Sequence, residues 1–263
     1  MPEPLYRSIV MTAKGLFKGL GLDIDVVGAE NIPLHGGALL AINHTSYLDF
    51  ALGGIPADMR GRRLVRFMAK DSIFRHKIAG PLMRGMKHIP VDRDAGSQAF
   101  RDAVAALKAG ELVGVFPEAT MSRSFDIKEL KSGSIRMARA ARVPVIPMII
   151  FGGHRILSYD TKDFSRGKQI CMTVGSPLDL DPGLDPDAAN EILSDTLKQL
   201  LAQTVDRYRD KPTGAPWIPA RFGGGAPTLV EAEVIEERAR ADRLARRQQS
   251  DRHHKSARRD KHD

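Results

Sequence analysis

Short apolar runs along this chain alternate with segments in which apolar residues return every three or four positions. The apolar runs predict strands, which lie at 38–42, 64–69, 88–91, 112–116, 143–151 and 169–175. The segments with helical spacing predict helices at 72–86, 98–109, 132–141 and 188–209. Because strands and helices alternate, the pattern predicts an α/β fold with helices on the faces of a sheet.

Local signals indicate where three of these helices begin or break. Ser97 is the predicted N-cap of the second predicted helix, and Asp187 is the predicted cap of the last one. Gly80 and Pro81 are expected to break or restart the first predicted helix, because proline interrupts the interior of a helix.

The segment 4–20 predicts an amphipathic helix. At about 100° per residue, one narrow apolar stripe has Phe17 at its edge and comprises Leu5, Ile9, Ala13, Leu16 and Leu20. The opposite face carries three cations, which are Arg7, Lys14 and Lys18. Two interpretations stay open: the stripe packs on the core of the domain, or the helix lies in a membrane interface with its cations at anionic headgroups. Both hold if the helix lies at a membrane-facing edge.

The composition of the chain changes after Lys211. Pro, Gly and Ala dominate 212–227, which predicts a linker or a loop lying over the domain surface. The segment 231–263 mixes arginines with acids and has few apolar residues, which predicts a solvated helix or a disordered tail. We therefore expect three parts, an N-terminal amphipathic helix, one α/β domain and a linker with a charged tail, at 1–22, 23–211 and 212–263.

Charge and composition narrow the partners and the compartment. The formal net charge of +8 and the pI near 9.7 favour acidic partners, among them nucleic acid, anionic lipid, coenzyme phosphates and acidic carrier proteins. The single cysteine, Cys171, excludes a disulfide framework within the chain and suits a reducing compartment. The sequence has no apolar run of about 18 residues and no signal-peptide pattern, so we expect neither a transmembrane helix nor a signal peptide.

A histidine and an aspartate follow the first predicted strand, as His44 and Asp49. On a regular helix, residues five apart lie about 140° apart, so the two side chains meet only if His44 lies in a strand-to-helix turn and Asp49 in the first helical turn. Thr45 or Ser46 then caps that helix. An aspartate that engages one ring nitrogen leaves the other free to take a proton, which predicts a general base. The alternative is a turn histidine near a favourable charge at a helix start.

Charged residues also follow three other predicted strands, as Lys70, Arg93 and Glu118. In an α/β sheet such strand ends converge on a crevice in which ligands bind, so we expect them to line one pocket with His44. Arg93 has a planar cation suited to two-point phosphate contact. The alternatives are a surface pairing of Arg93 with a neighbouring aspartate, a solvated Lys70 and a loop carboxylate at Glu118.

Four segments of the chain, in order, have the form of known sequence blocks. Segment 43–49 has the form Asn-His-x4-Asp, 89–93 ends in Asp-Arg, 116–120 is Phe-Pro-Glu-Ala-Thr and 143–147 is Val-Pro-x-x-Pro. They resemble the NHxxxxD, Asp-Arg, FPEGT and VPxxP blocks of the glycerolipid acyltransferases, the 1-acylglycerol-3-phosphate acyltransferase family. The resemblance covers roughly 25–180. It implies the fold of that family, a mixed sheet flanked by helices.

The resemblance also implies a role for each site residue. His44 would deprotonate an acceptor hydroxyl that attacks an acyl thioester, and Asp49 would orient and charge-stabilise the histidine, without a covalent acyl-enzyme. Arg93 would grip the acceptor phosphate, with Lys70 as a second cation. The glycerol region of the acceptor would be lined by Glu118, Ala119 and Thr120.

Two departures from the third block concern the acceptor pocket. Ala119 stands where the block has glycine, and Met121 stands where the block has arginine. Arg123, two positions later, is the predicted substitute for that arginine. These departures change the pocket beside the histidine–aspartate pair and leave the chemistry of the pair unchanged.

The resemblance predicts an acyltransferase that moves a fatty acyl group from acyl-CoA or acyl carrier protein to a lysophospholipid hydroxyl. The expected acceptor is 1-acyl-sn-glycerol-3-phosphate, giving phosphatidic acid; the alternatives are glycerol-3-phosphate and other lysophospholipids. The rivals are a thioester or lipid hydrolase and a nucleic-acid or membrane-surface binding protein, but we find no G-x-S-x-G elbow and no nucleic-acid motif. We expect no metal, no cofactor and no nucleic acid, and a peripheral protein on the cytoplasmic face of an anionic membrane.

Overall fold

Seven strands form one sheet in the residues that the computed structural model describes, which are 3–92, 96–178, 180–181, 183–242 and 245. In chain order the strands are β1 (Asp23–Val27), β2 (Ala38–Ile42), β3 (Val65–Lys70), β4 (Ile89–Val91), β5 (Leu112–Val115), β6 (Val145–Phe151) and β7 (Gln169–Val174). Across the sheet their order is β1-β7-β6-β2-β5-β3-β4.

The sheet is mixed, as the sequence predicts. Strand β2 runs parallel to both of its neighbours, β5 and β6, and the pairs β5–β3, β3–β4 and β1–β7 are parallel as well. Only β6 and β7 pair in antiparallel fashion among the described strands. The carboxyl ends of β2, β5, β3 and β4 therefore meet at one edge of the sheet, and the candidate site residues follow these ends.

Helices cover both faces of the sheet. They are α1 (Pro4–Gly19), α2 (Asp49–Leu52), α3 (Ile55–Met59), α4 (Asp71–Phe74), α5 (Ala79–Gly85), α6 (Gly96–Lys108), α7 (Gly133–Ala141), α8 (Pro186–Arg207) and α9 (229–242). Strand β2 alternates between two apolar cores, so that Leu39 packs with α6, α7 and α8 whereas Leu40 packs on the face covered by α1, α2 and α3. The predicted α/β architecture is thus confirmed.

Helix ends differ from the predictions at four positions. At the start of α2 the N-cap is Leu48, which makes no side-chain cap bond, so the prediction that Thr45 or Ser46 caps this helix was wrong. Helix α6 already begins at Gly96, so Ser97 lies inside its first turn. Helix α8 is capped by Asp185, whose side chain accepts from the backbone N–H of Asp187, so the prediction of Asp187 as the cap was wrong. The break comes at 75–78, so Gly80 lies in the first turn of α5. The proline that follows it is tolerated there, because the N–H that proline lacks would have no helical partner in a first turn.

Helix α1 presents a different face to the core than its apolar stripe predicts. Its buried side chains are Tyr6 and Phe17, whereas Leu16 on the stripe is 64% exposed and Leu5 is exposed as well. The Tyr6 hydroxyl donates to the carbonyl of Val65, at 2.6 Å. The large aromatic side chains therefore set the rotation of the helix. None of the helices in the described residues is long and apolar enough to span a bilayer.

Residues 212–242 lie against the α/β domain, and we name this segment the C-terminal arm. Ala215, Ile218, Ala226 and Ala232 of the arm are buried. Helix α9 begins after Thr228, which exchanges two hydrogen bonds with Glu231 in a capping box. Of the two predicted alternatives for 212–227, the loop over the domain surface is the one found; the division of the chain at residues 22 and 211 stays a prediction.

Candidate active site

His44 and Asp49 meet at the carboxyl end of β2. His44 lies in the turn after the strand and Asp49 is the first residue of α2, which brings His44 Nδ1 to 2.9 Å from Asp49 Oδ2. The same oxygen accepts from the backbone N–H groups of Thr45 and Ser46, each at 2.8 Å. The carboxylate is fully buried and fixes the Nδ1–H tautomer of the ring.

The second ring nitrogen of His44, Nε2, has no hydrogen-bond partner within the part of the chain that the structure describes. The ring stacks on Phe116 with 4.2 Å between ring centroids and meets the edge of Phe50 at 6.4 Å. Its side chain is 15% exposed. The imidazole is therefore held on three sides and keeps one basic nitrogen for a reacting group.

Asn43 fixes the strand end that carries His44, and the sequence interpretation gave it no role. Its amide Nδ2 donates to the carbonyl of Ile150 at 3.1 Å, and its Oδ1 accepts from the N–H of Ile150 at 2.7 Å. Asn43 is buried, so this pair of hydrogen bonds to β6 is shielded from water. A polar residue after an apolar strand is the signal by which it could have been found.

Glu118 braces the backbone of His44, and its expected place in the lining of the acceptor pocket stays a prediction. It is 4% exposed; its Oε1 accepts from the N–H of His44 at 2.9 Å and its Oε2 from the N–H of Lys128 at 3.1 Å. Burial raises the pKa of Glu118 to about 8, against the lowering effect of these two N–H groups. Both carboxylate oxygens are thus engaged by the protein itself.

Ala119 and Thr120 form a tight turn after Glu118. Ala119 has a φ of 61°, the left-handed conformation that glycine adopts without steric cost, which explains the glycine of the resembling block. The hydroxyl of Thr120 accepts from Lys128 Nζ at 2.8 Å. Lys128 lies ten positions after Glu118 and carries no sequence signal that separates it from other lysines.

Met121 stands where the block has arginine, and the cation of this segment comes from Arg123, two positions later. Met121 is buried in the protein. The guanidinium of Arg123 lies 4.4 Å from the ring centroid of Tyr159 and forms an ion pair with Asp160, whose side chain is largely exposed. The predicted substitute for the missing arginine is therefore present near the site.

Of the two other predicted cations, only Lys70 lies in the described residues, and the structure does not bring it into the site. Lys70 is exposed at the end of β3, and β5 lies between that strand and β2. Arg93 lies outside the described residues, so its expected contact with the acceptor phosphate stays a prediction.

Two cavities flank the segment that carries His44, and we name them the apolar groove and the polar cleft. The apolar groove has a volume of about 290 Å³; its lining includes Tyr6, Phe17, Phe50, Ala51, Met83 and Met86. The polar cleft has a volume of about 410 Å³; its lining includes Thr45, Arg123, Ser158, Asp160, Pro216 and Ile235. Phe50 touches the His44 ring from the groove, and Thr45 follows His44 on the side of the cleft.

The described residues hold no group of three or more His, Cys, Asp and Glu side chains that could bind a metal ion. What the site offers is a buried carboxylate, an oriented imidazole with one unengaged nitrogen, and two neighbouring cavities, of which the polar cleft has Arg123 and Asp160 in its lining. Such a set suits proton abstraction from a hydroxyl group held next to a second substrate.

Comparisons with known proteins agree with this geometry. A family model described as Acyltransferase matches residues 23–151. A 1-acyl-sn-glycerol-3-phosphate acyltransferase of Bacillus subtilis (strain 168) is 28% identical over 159 residues, which are 59% of this chain and 73% of the relative. The enzyme of the same name from Limnanthes douglasii is 29% identical over 140 residues, 51% of this chain and 47% of the relative.

Among solved structures, the 1-acyl-sn-glycerophosphate (LPA) acyltransferase PlsC from Thermotoga maritima has a similar fold. The TM-score is 0.64 at 24% sequence identity, over 78% of this chain and 81% of that one. The chain spans about half the length of the Limnanthes relative. The family model ends well before the C-terminal arm.

Proposed function

Because the chain belongs to the family of the 1-acylglycerol-3-phosphate acyltransferases and is an O-acyltransferase, we propose that it acylates 1-acyl-sn-glycerol-3-phosphate to phosphatidic acid. The donor in this proposal is an acyl thioester of CoA or of acyl carrier protein. The observation that carries the proposal is the His44–Asp49 pair with its unengaged ring nitrogen, in a segment whose residues Thr45 and Phe50 line the two cavities.

The proposed reaction is a direct transfer. His44 Nε2 takes the proton of the acceptor hydroxyl while the hydroxyl oxygen attacks the thioester carbonyl carbon. The C–S bond then breaks, and the proton passes from His44 to the departing sulfur, which leaves as the thiol. Asp49 stabilises the imidazolium that forms in between. A positioned base of this kind contributes about 10²- to 10⁴-fold to the rate.

The two cavities suggest where the parts of the substrates bind. We assign the fatty acyl chain of the donor to the apolar groove, because the walls of the groove are mainly aliphatic and aromatic side chains. We assign the phosphate of the acceptor to the polar cleft, where Arg123 offers a planar cation and Asp160, its present partner, is exposed enough to yield to a phosphate.

We also propose that the protein binds the cytoplasmic face of an anionic bilayer as a peripheral protein. Ile78, in the turn between α4 and α5, is 73% exposed, and Met11 and Leu16 of α1 are exposed as well. Lys18 and Lys77 lie beside them in the sequence and are exposed. Apolar side chains flanked by cations are the combination that inserts into an anionic interface.

The acceptor and the donor are identified by one assay of the purified chain, residues 1–263. It is incubated with acyl-CoA or acyl carrier protein thioester and with lysophosphatidic acid, other lysophospholipids or glycerol-3-phosphate, and the products are separated by chromatography. We expect phosphatidic acid from lysophosphatidic acid, and loss of product in a folded His44→Ala variant.

The matched control is His35→Ala, which removes an exposed histidine in a loop. It should keep wild-type turnover. Full acyl transfer by a folded His44→Ala variant would refute the proposal, and a product from glycerol-3-phosphate alone would reassign the acceptor. Free fatty acid without any acylated lipid would instead identify a thioester hydrolase.

A further inference from the structure

The C-terminal arm contacts the segment that carries Glu118, although it lies far from it in the sequence. Arg221 Nε lies 2.7 Å from Asp126 Oδ2, and Lys128 Nζ lies 2.6 Å from Glu236 Oε2 on α9. These two ion pairs attach the arm to the segment 118–128, which follows β5 at the active edge of the sheet.

The arm is itself anchored to the domain, so it is a firm point of attachment. The carbonyl of Trp217 accepts from His154 Nε2 at 2.8 Å, and the guanidinium of Arg155 lies 4.0 Å from the Trp217 ring centroid. Ile218 and Ala232 are buried against the domain. The side chains of α9 therefore hold fixed positions relative to the domain.

The segment 118–128 needs such external support. Ala119 and Phe125 both have a positive φ, 61° and 56°, which costs conformational energy in residues other than glycine. A backbone of this kind keeps its shape only where surrounding contacts hold it. Lys128 supplies three of these contacts, through its backbone N–H to Glu118 and through Nζ to Thr120 and Glu236.

A continuous chain of contacts leads from the arm to the candidate base. Glu236 holds Lys128, Lys128 holds Glu118, and Glu118 accepts from the N–H of His44 at 2.9 Å. The N–H of Ser122, in the same segment, donates to the carbonyl of His44 at 2.7 Å. The backbone on both sides of the His44 peptide is thus fixed by the segment that α9 fastens.

We propose that Glu236 is a positioning residue, which holds the segment 118–128 through Lys128 and thereby keeps His44 at the place where it takes the acceptor proton. The proposal rests on the proposed acyl transfer. It assigns a role in turnover to an arm that lies outside the part of the chain matched by the family model.

The test is a double-mutant cycle in the chain of residues 1–263. Glu236→Ala and Lys128→Met should each lower kcat about tenfold in the acyl-transfer assay and leave the KM for the thioester within about twofold. Because both substitutions break the same chain of contacts, the double variant should be no slower than Lys128→Met alone. Glu236→Gln keeps an oxygen that accepts from Lys128 and should recover most of the turnover.

Glu237→Ala is the matched control, since Glu237 is the exposed next residue on α9, and it should keep the wild-type kcat. Melting temperatures of all variants separate a loss of positioning from a loss of folding; where Glu236→Ala does not fold, Glu236→Gln and Lys128→Met are compared. Unchanged kcat in a folded Glu236→Ala variant, additive losses, or a raised KM alone would overturn the inference. An inactive wild-type chain would refute the proposed function instead.

Discussion

The apolar groove and the polar cleft lie beside the same histidine but are closed in different ways. Helix α1 forms one wall of the groove, where its side chains Tyr6 and Phe17 are buried. The cleft is closed by the C-terminal arm, which is fastened by ion pairs at Asp126 and Lys128. Both walls pack apolar side chains on the domain, and the wall of the cleft adds ion pairs that reach the segment beside the candidate base.

This difference predicts two kinds of selectivity. Apolar contacts discriminate weakly and by size, because each methylene contributes only about 0.8 kcal/mol on burial. Charged hydrogen bonds discriminate by chemical group, since an unpaired buried charge is costly. We therefore expect the groove to set a preference in acyl chain length and the cleft to recognise the acceptor headgroup.

The largest effect should come from the pair that belongs to neither cavity. Asp49→Asn removes the negative charge that stabilises the imidazolium of His44, so kcat should fall about 10²- to 10⁴-fold while the KM values of both substrates change little. Steady-state kinetics with both substrates varied measures this. Asp187→Asn, at an exposed position, is the control; a changed KM with normal kcat would assign Asp49 to binding.

Substitution in the cleft should affect only the acceptor. Arg123→Gln should raise the KM for lysophosphatidic acid about tenfold, because a charge-assisted bond to phosphate is lost, and leave the KM for the thioester unchanged. Asp160→Asn should lower the acceptor KM, since it frees the guanidinium. Arg136→Gln, on the exposed side of α7, is the control; an equal effect on a phosphate-free acceptor would contradict the assignment.

Substitution in the groove should affect only the donor, and by less. Ala51→Phe places a ring in the groove, so the kcat/KM for the longest acyl thioesters should fall several-fold relative to short ones, because about 1 kcal/mol of apolar contact is lost. A series of thioesters of increasing length measures the shift. Ala140→Phe, at an exposed position of α7, should leave the series unchanged; parallel losses at every length would speak against a chain-binding groove.

The two sides also contain one buried histidine each, which sets a pH dependence of stability. Burial lowers the pKa of His88, beside the groove, and of His154, which holds the arm, to about 4 each. Between pH 6.5 and 4 the unfolded chain therefore binds protons that the folded chain does not, and the free energy of unfolding falls with falling pH, by roughly 3 kcal/mol per histidine.

Urea unfolding at a series of pH values tests this with His154→Gln, whose amide can still donate to the Trp217 carbonyl. The variant should lose part of the decline below pH 6.5, and its difference from the wild type isolates this histidine because the other titrating groups are shared. His35→Gln, at an exposed position, should follow the wild-type curve. An identical decline in His154→Gln would show that this ring is not kept neutral by burial.

The sequence predicts the fold and the central pair of the site better than the surroundings of that pair. Apolar runs identify six of the seven strands found in the described residues, and a spacing of five places His44 beside Asp49 once a turn precedes the helix. Strand β1 escapes because it lies at the edge of the sheet and carries the charged residues Asp23 and Asp25. Long apolar runs can be detected in the sequence, whereas a short edge strand with charged residues has little apolar pattern to detect.

The other site features that the sequence does not predict all depend on contacts between segments far apart in the sequence. Lys128 and Glu236 are 108 positions apart, and the charged composition around Glu236 predicts only a solvated helix or a disordered tail. Glu118 is recognisable by its block, but the direction of its carboxylate toward the His44 backbone follows from the packing of two strand ends. Local sequence carries no record of such pairings.

The left-handed turn at Ala119 bears on how substitutions along this chain are interpreted. The methyl group of Ala119 is exposed, so by surface criteria alone this position ought to accept almost any residue. Its backbone, however, admits glycine, asparagine and aspartate far more readily than β-branched side chains, and its shape fixes the carboxylate that precedes it. Substitutions at this solvent-facing alanine therefore act through the buried Glu118 beside it, and harmful variants are expected at a position that surface exposure alone marks as tolerant.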